Sequence, residues 1–191
     1  MYSSPRRWSG RAASSPRSKK ARARRLDLFF LDECGFAPTQ PTGYSWTLRG
    51  SRKLIAYEAT KGRRANALAA YGIRDGQRAL RFTVKGRSLT SADVFDFLLL
   101  LPTGKRPCTV VLDNVNIHTS RFIRQRRRQL RKRGVRLFFL PVYSPELNEV
   151  EPVFGVVKSY EMPRRSYPTL AELLAAVRSG FMSYRNRLRK K

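Results

Sequence analysis

Short apolar runs are spaced along the middle of the chain, and three of them predict buried strands. Leu26–Leu31 is apolar and aromatic except for one acid, and it ends on Asp32. Cys108–Leu112 is a β-branched run that ends on Asp113, and Val135–Leu140 is a third run. Each run is too short for a buried helix, so each is predicted to be a strand, with Cys108–Leu112 in the centre of its sheet.

Turn signals between other apolar segments predict hairpins in a small antiparallel meander. The predicted turns are residues 49–51 (Arg-Gly-Ser) and the pair Asp75-Gly76. The strands predicted on either side of these turns are Tyr44–Leu48 with Lys53–Tyr57, and Ala65–Ile73 with Ala79–Val84.

Capping residues and helical periodicity predict two helices in the centre of the chain. The first begins after Thr90 or Ser91 and carries Asp93 in its first turn. The second covers residues 119–133, is very basic and ends at Gly134.

Two more helices are predicted towards the C-terminus. Asn148 is predicted to cap a helix that buries every third or fourth residue from Val150, and Thr169 with Glu172 forms a capping box before the last helix. Hairpin strands followed by alternating strands and helices predict the α/β class, with a mixed sheet flanked by helices.

The charge of the chain changes this picture, because it points to a polyanionic partner. The chain has 40 Lys and Arg residues against 13 Asp and Glu, a net charge of +27. Residues 1–25 are basic, have no acid and show no periodicity, so we predict a basic tail that is disordered until it meets an anion. The folded domain is predicted over 26–165, and 166–191 is predicted to be a C-terminal helix with a basic end. Nucleic acid is the expected partner, although a basic binding protein without catalysis explains the charge equally well.

Acidic residues are scarce, so their positions are informative. Sites in open α/β sheets form at strand ends, which makes Asp32 and Asp113 candidate ligands. A third candidate lies where the helix after the 141–145 loop begins, but spacing leaves both Glu149 and Glu151 open, because one helix cannot point both at one site. Three carboxylates without His or Cys suit Mg²⁺ or Mn²⁺, and two such ions suit phosphodiester cleavage. Helix capping or pairing with basic residues is the alternative.

Three blocks of sequence surround these acids. They are Leu31–Phe36, Val111–Asn114 with His118, and Leu140–Glu151 with Lys158. In their order, and in the gap between Asp113 and Glu151, they resemble the mariner-like DDE insertion-sequence transposases over about residues 26–165. The last block is the most specific of the three.

This resemblance implies a ribonuclease-H-like fold over residues 26–165. It also implies a catalytic, metal-binding triad of Asp32, Asp113 and Glu151 with two Mg²⁺ or Mn²⁺ ions, and it selects Glu151 over Glu149. Enzymes of this family cut transposon ends by hydrolysis and join the freed 3′-hydroxyl to target DNA. Val142 and Glu149 stand where the family usually has proline, but neither departure removes a ligand.

Other residues are predicted to assist the triad. Asn114, His118 and Asn148 are expected to orient a carboxylate, a water or a phosphate, while capping between a strand and a helix explains Asn114 and His118 equally well. The predicted DNA contacts are basic residues of the 119–133 helix together with a lysine after the third acid: Arg121, Arg124, Arg127, Arg128, Arg131 and Lys158.

Such transposases normally carry an N-terminal helix-turn-helix region, whereas only the basic tail precedes the first strand here. We expect a truncated remnant or one product of a split reading frame, with the helix-turn-helix then supplied by a separately encoded protein. The expected partners are transposon-end and target DNA, and a second copy in a homodimer or higher oligomer. A non-catalytic DNA-binding remnant and a ribonuclease-H-like nuclease outside transposition are the alternative functions.

Few features bear on the compartment. The two cysteines, Cys34 and Cys108, lie in or beside apolar runs and predict reduced, buried thiols. No apolar stretch has the length of a membrane span. The sequence therefore predicts a cytoplasmic protein that associates with the nucleoid.

Overall fold

The computed structural model describes residues 26–39, 48–51, 63–101, 106–141, 144–163 and 165–189, together with residues 17, 19, 21 and 23. Within them lies a sheet in the order β3-β2-β1-β4-β5. The strands are β1 (Asp27–Phe36), β2 (Ala65–Arg74), β3 (Gln77–Lys85), β4 (Cys108–Leu112) and β5 (Val135–Phe139). β1 is antiparallel to β2 and parallel to β4, so the predicted mixed sheet is confirmed.

Helices cover both faces of this sheet. They are α1 (Ser91–Leu99), α2 (Asn116–Thr119), α3 (Arg121–Lys132), α4 (Glu151–Val156) with a π-helical turn (Val157–Glu161), and α5 (Leu170–Arg189). None of the described helices is long and apolar enough to cross a bilayer. Alternate residues of β1 point to opposite faces. Phe29 and Leu31 pack in the cluster of α1 and α3, whereas Leu28 and Phe30 pack in the cluster of α4 and α5.

β1 is longer than the sequence predicts, and its predicted end at Asp32 is wrong. The strand continues to Phe36 because β2 pairs with it in register as far as Ala65. β4 pairs only with Asp27–Phe30. Asp32 therefore lies inside a strand, just beyond the point where β1 loses its parallel neighbour.

The hairpin of β2 and β3 is confirmed. Asp75 and Gly76 have φ angles of 53° and 79°, both in the left-handed region that a two-residue hairpin turn of this kind requires. The turn predicted at residues 49–51 is also present, with the amide of Ser51 donating to the carbonyl of Leu48 at 3.0 Å. The strands predicted around it, Tyr44–Leu48 and Lys53–Tyr57, lie outside the described residues apart from Leu48.

Helix α1 begins with the predicted cap, which the structure extends into a charged cluster. Thr90 Oγ1 accepts from the amide of Asp93, and the Asp93 carboxylate accepts from the amide of Thr90 at 2.8 Å. That carboxylate is 5% exposed and also accepts two hydrogen bonds from Arg87 and one from Lys85. The hydrogen bond from Arg87, ahead of that from Lys85, holds the pKa of Asp93 well below its usual range, although burial opposes this.

We expect Asp93→Asn to lower the free energy of unfolding by about 1–3 kcal/mol near neutral pH, since it weakens a cap and charge-assisted hydrogen bonds. A carboxyl with a depressed folded-state pKa stabilises the fold above its unfolded pKa, near 3.8, and loses this effect as the pH falls. The difference from the parent should therefore shrink between pH 7 and pH 3 in denaturant titrations. Exposed Asp96→Asn is the matched control. Equal losses for the two variants would contradict the role of the cluster.

The basic helix is divided, and part of the predicted tail has structure. Ser120 separates α2 from α3, and its hydroxyl caps α3 by accepting from the amide of Ile123 at 3.3 Å. Residues 17, 19 and 21 are helical, Ala21 is fully buried, and the Arg17 guanidinium lies 4.0 Å from the centre of the Phe138 ring. These residues of the 1–25 segment are helical where disorder was predicted, and the Phe138 ring of the folded domain provides the surface on which Arg17 packs.

The C-terminal helix α5 is part of the core. It begins at the predicted capping box, with the amide of Glu172 donating to Thr169 Oγ1 at 3.2 Å. Phe181 is fully buried and its ring contacts those of Phe36, Phe82 and Phe154. The helix thus completes one face of the sheet and shares its core with the domain predicted over 26–165.

Candidate functional site

Asp32 faces the α4 side of the sheet, where two hydrogen bonds fix its carboxylate. Oδ1 accepts from the amide of Glu33 at 2.7 Å, and Oδ2 accepts from Nδ2 of Asn148 at 2.9 Å. Burial, and after it the charge of Glu33, raises the pKa of Asp32 to about 7, with a further contribution from Asp113. The carboxylate is therefore held in place while its negative charge is penalised.

Asp113 directly follows β4. In the parallel register of β1 and β4, which ends at Phe30 opposite Val111, it is the position that continues towards Asp32. Its Oδ1 lies 2.7 Å from Nδ1 of His118 and accepts a long bond from the amide of Val115 at 3.4 Å. Burial alone would raise the pKa of Asp113, but the hydrogen bond and charge of His118 lower it.

Glu151 is the first residue of α4 and is exposed. The pKa of its carboxyl is raised, first by the partial loss of solvent around the carboxyl and then by the charge of Asp113. Glu149, the alternative left open by spacing, instead accepts from Arg78 on β3 at 2.9 Å. The charge of Asp113 thus acts on Glu151, whereas Glu149 is held by Arg78 of the edge strand β3.

His118 connects this site to a residue that sequence reasoning missed, Glu33. The imidazole is fully buried, and its Nε2 lies 3.1 Å from Oε2 of Glu33. Burial alone would lower the pKa of His118, but its bonds to Asp113 and Glu33 raise it to about 9. Because side chains alternate along a strand, Glu33 points to the other face of the sheet from Asp32, the face that carries α2. This alternation could have identified Glu33 from the sequence, since His118 lies on α2.

Two asparagines flank the acids, and the helix cap predicted for one of them, Asn148, is absent. Asn114 donates from Nδ2 to the carbonyl of Leu140 at 2.6 Å, which ties the ends of β4 and β5 together. Asn148 does not cap a helix, because α4 is preceded by Val150 and has no side-chain cap. Its amide is buried and bonds Asp32 instead, since a buried polar group needs a partner and a carboxylate is a strong one. Its Oδ1 is buried without a hydrogen-bond partner in the described part of the chain.

The donor set suits a hard divalent cation. Carboxylate and amide oxygens are what Mg²⁺ and Mn²⁺ prefer. The pKa values of Asp32 and Glu151 are raised first by burial, and the nearby negative charge of Asp113 adds a repulsion that a cation would relieve. Across the described ranges, however, no three acidic, His or Cys side chains come close enough together to hold one ion. The charge of Asp113 thus acts on both Asp32 and Glu151, but these acids do not form a closed coordination shell.

The predicted DNA-contacting residues lie in different surroundings. Four of them, Arg121, Arg124, Arg128 and Arg131, are exposed on α3. Arg127 is half-buried, with its guanidinium 4.9 Å from the centre of the Phe139 ring. Lys158, in the π-helical turn, is also half-buried, with Nζ 5.2 Å from the centre of the Phe36 ring.

A sheet in this order, with helices on both faces and acids on two adjacent central strands, has the ribonuclease-H-like fold. The chain belongs to the DDE superfamily endonucleases, whose family profile matches residues 27–174. Both the predicted fold and the predicted resemblance are confirmed. The match also extends into α5, in agreement with the shared core.

One curated relative comes from an insertion element. The chain is 27% identical over 154 residues to the insertion element IS630 uncharacterized 39 kDa protein of Shigella sonnei, covering 79% of this chain and 43% of that protein. It therefore spans less than half of this curated relative's length.

Solved structures support the fold. The chain resembles the Mos1 transposase in a paired-end complex with the left transposon end (TM-score 0.55, 16% identity, 99% of this chain and 62% of that one). It also resembles a chain of the simian T-cell lymphotropic virus intasome in complex with PP2A regulatory subunit B56 gamma (TM-score 0.50, 16% identity, 80% and 48%).

Proposed function

We propose that this chain is the catalytic core of a transposase that cuts the ends of a DNA element and joins the freed 3′-hydroxyl to target DNA. The observation that carries the proposal is the placement of Asp32 on β1, of Asp113 directly after the adjacent strand β4 and of Glu151 at the start of α4, in a DDE superfamily endonuclease that is otherwise strongly basic. Asp113 raises the pKa of both other acids, and carboxyls with such shifts in a basic protein favour a site for cations and nucleic acid. The relative from an insertion element supports the same reading.

In this proposal Asp32, Asp113 and Glu151 are the catalytic residues and hold two Mg²⁺ or Mn²⁺ ions. When bound, such ions activate an attacking oxygen and stabilise the leaving oxygen of a phosphodiester. The remaining residues of the site act by positioning. Asn148 holds one oxygen of Asp32, and the buried imidazole of His118, with the half-buried Glu33 at its other nitrogen, holds one oxygen of Asp113.

The substrate in this proposal is DNA, at the element's ends and at the target. The exposed guanidinium groups of α3, with Arg127 and Lys158 beside them, are proposed to contact its phosphates. The Mos1 relative was solved with a transposon end in a paired-end complex, which supports assembly of this chain on DNA as a homodimer or higher oligomer. The nucleoid is the proposed location.

The experiment that tests this function is plasmid nicking followed by strand joining. We expect the purified chain to convert supercoiled plasmid to nicked circles in Mn²⁺ or Mg²⁺, and not in EDTA. With a pre-cut element end, we expect covalent joining of its 3′-hydroxyl to the plasmid. Nicking without any joining would point to a nuclease outside transposition. DNA binding without nicking in either metal would point to a non-catalytic remnant.

A further inference from the structure

A basic groove of roughly 720 Å³ lies along the edge strand β5. Arginines from three segments line it: Arg17 from the N-terminal segment, Arg127 and Arg131 from α3, and Arg136 from β5. Its walls also include Leu137 and Phe138 of β5. The groove thus joins cations from separate parts of the chain around an apolar strand.

The guanidinium groups of this groove have no anionic partner among the described residues. In that part of the chain no acidic side chain lines the groove, and neither Arg131 nor Arg136 forms an ion pair, although both are exposed. Nε of Arg127 is buried without a hydrogen-bond partner among the same residues. Cations gathered in a concave surface focus a positive potential, which draws in an anion.

The apolar part of the groove selects among anions. Phe138 is 38% exposed, and Arg17 stacks on its ring. An aromatic face beside guanidinium groups is the arrangement that binds nucleotide units, because bases stack on the ring while phosphates meet the cations. Inorganic phosphate would use only the cations.

The position of the groove separates it from the carboxylates. Thr109 of β4 also lines it and pairs with Arg136 in the sheet. Thr109 precedes Asp113 by four residues, which corresponds to roughly 13 Å along a strand. The groove therefore opens on the half of β4 and β5 away from the acids.

We propose that this groove binds a single strand of DNA, with phosphates on Arg131, Arg136 and Arg127 and a base on Phe138. The inference rests on the proposed function for the identity of the polyanion, and it adds a second DNA site apart from the carboxylates. In a duplex the bases are stacked inside a convex cylinder, so they are not available to stack on Phe138. A pocket of this volume is typical of small-ligand sites and admits single nucleotide units. Strands freed at a cut end are the source that the proposed reaction supplies.

The test is fluorescence anisotropy with a labelled oligothymidylate in EDTA, so that binding is measured without metal-dependent cutting. We expect Arg131→Gln with Arg136→Gln to weaken binding at least about tenfold and to reduce the slope of log affinity against log salt by about 1.4. Arg178→Gln with Arg189→Gln is the matched control, because it removes the same charge from exposed positions of α5 that do not line the groove. That control should lose less than about threefold.

A second variant separates the ring from the charge. Phe138→Ala should weaken binding by roughly fivefold or more while leaving the salt slope unchanged, since stacking releases no counterions. The groove proposal would be overturned if the two double variants lost equal affinity. It would also be overturned if duplex DNA displaced the oligonucleotide as readily as single-stranded DNA does.

Plasmid nicking in Mn²⁺ is measured separately. A parent chain that nicks while groove variants bind normally refutes the groove alone, and groove-dependent binding without nicking refutes the proposed function alone.

Discussion

Asp113→Asn is expected to lower metal-dependent plasmid nicking by on the order of 10³-fold, the largest effect we predict on activity. Asparagine keeps the size of the side chain and can still accept from His118, but it removes the negative charge that a divalent cation requires. When catalytic groups act as a unit, removal of any one of them removes nearly all of the activity, so this single substitution should abolish most of the nicking. The measurement is the initial rate of conversion of supercoiled to nicked plasmid in Mn²⁺.

Glu149→Gln is the matched control, since it removes one negative charge two residues from Glu151. Glu149 is bonded to Arg78, so its loss should leave the nicking rate within about threefold of the parent. Oligonucleotide binding in EDTA should persist in both variants. The ligand assignment is wrong if Asp113→Asn nicks as fast as the parent, or if Glu149→Gln loses as much activity.

Phe181→Ala should lower the free energy of unfolding by about 3–5 kcal/mol. The Phe181 ring stacks on that of Phe82 with centroids 5.0 Å apart, and it meets Phe36 and Phe154 edge to face. Truncation leaves a cavity between α5 and the sheet, because surrounding elements relax only in part. Denaturant titration measures the effect, with an unchanged slope as the sign that unfolding is still two-state.

Met182→Ala provides the comparison on the same helix. Met182 is 41% exposed, so its truncation should change stability by no more than about 0.5 kcal/mol. If the two variants were equally stable, α5 would be a peripheral helix and not part of the core.

Secondary-structure elements that are stabilised by neighbouring residues in the chain were predicted from local sequence patterns. The hairpin of β2 and β3 follows from Asp75-Gly76, and the start of α5 follows from Thr169 and Glu172, because these residues satisfy neighbouring backbone groups. The end of β1 was predicted wrongly for the opposite reason. Its last residues are strand only because β2, some thirty residues later, pairs with them in register.

The same distinction holds at the candidate site. Asp32 and Asp113 could be singled out as candidates, since each was predicted at the end of a buried strand. Spacing could not separate Glu149 from Glu151, because the deciding contact comes from Arg78 on β3. Asn148 looked like a cap by its position before a helix, but the carboxylate that takes its amide is far away in the sequence.

The central position of β1 has a consequence for the order in which this protein matures during synthesis. β1 to β3 leave the ribosome first and can pair as a local meander, while β4 and α4 follow much later. Until then Asp32 has neither Asp113 nor Asn148 beside it. Since chain segments fold as they emerge, a nascent chain that already carries much of its positive charge is expected to be able to attract DNA before the proposed site exists. The proposed site assembles only after α4 has been synthesised.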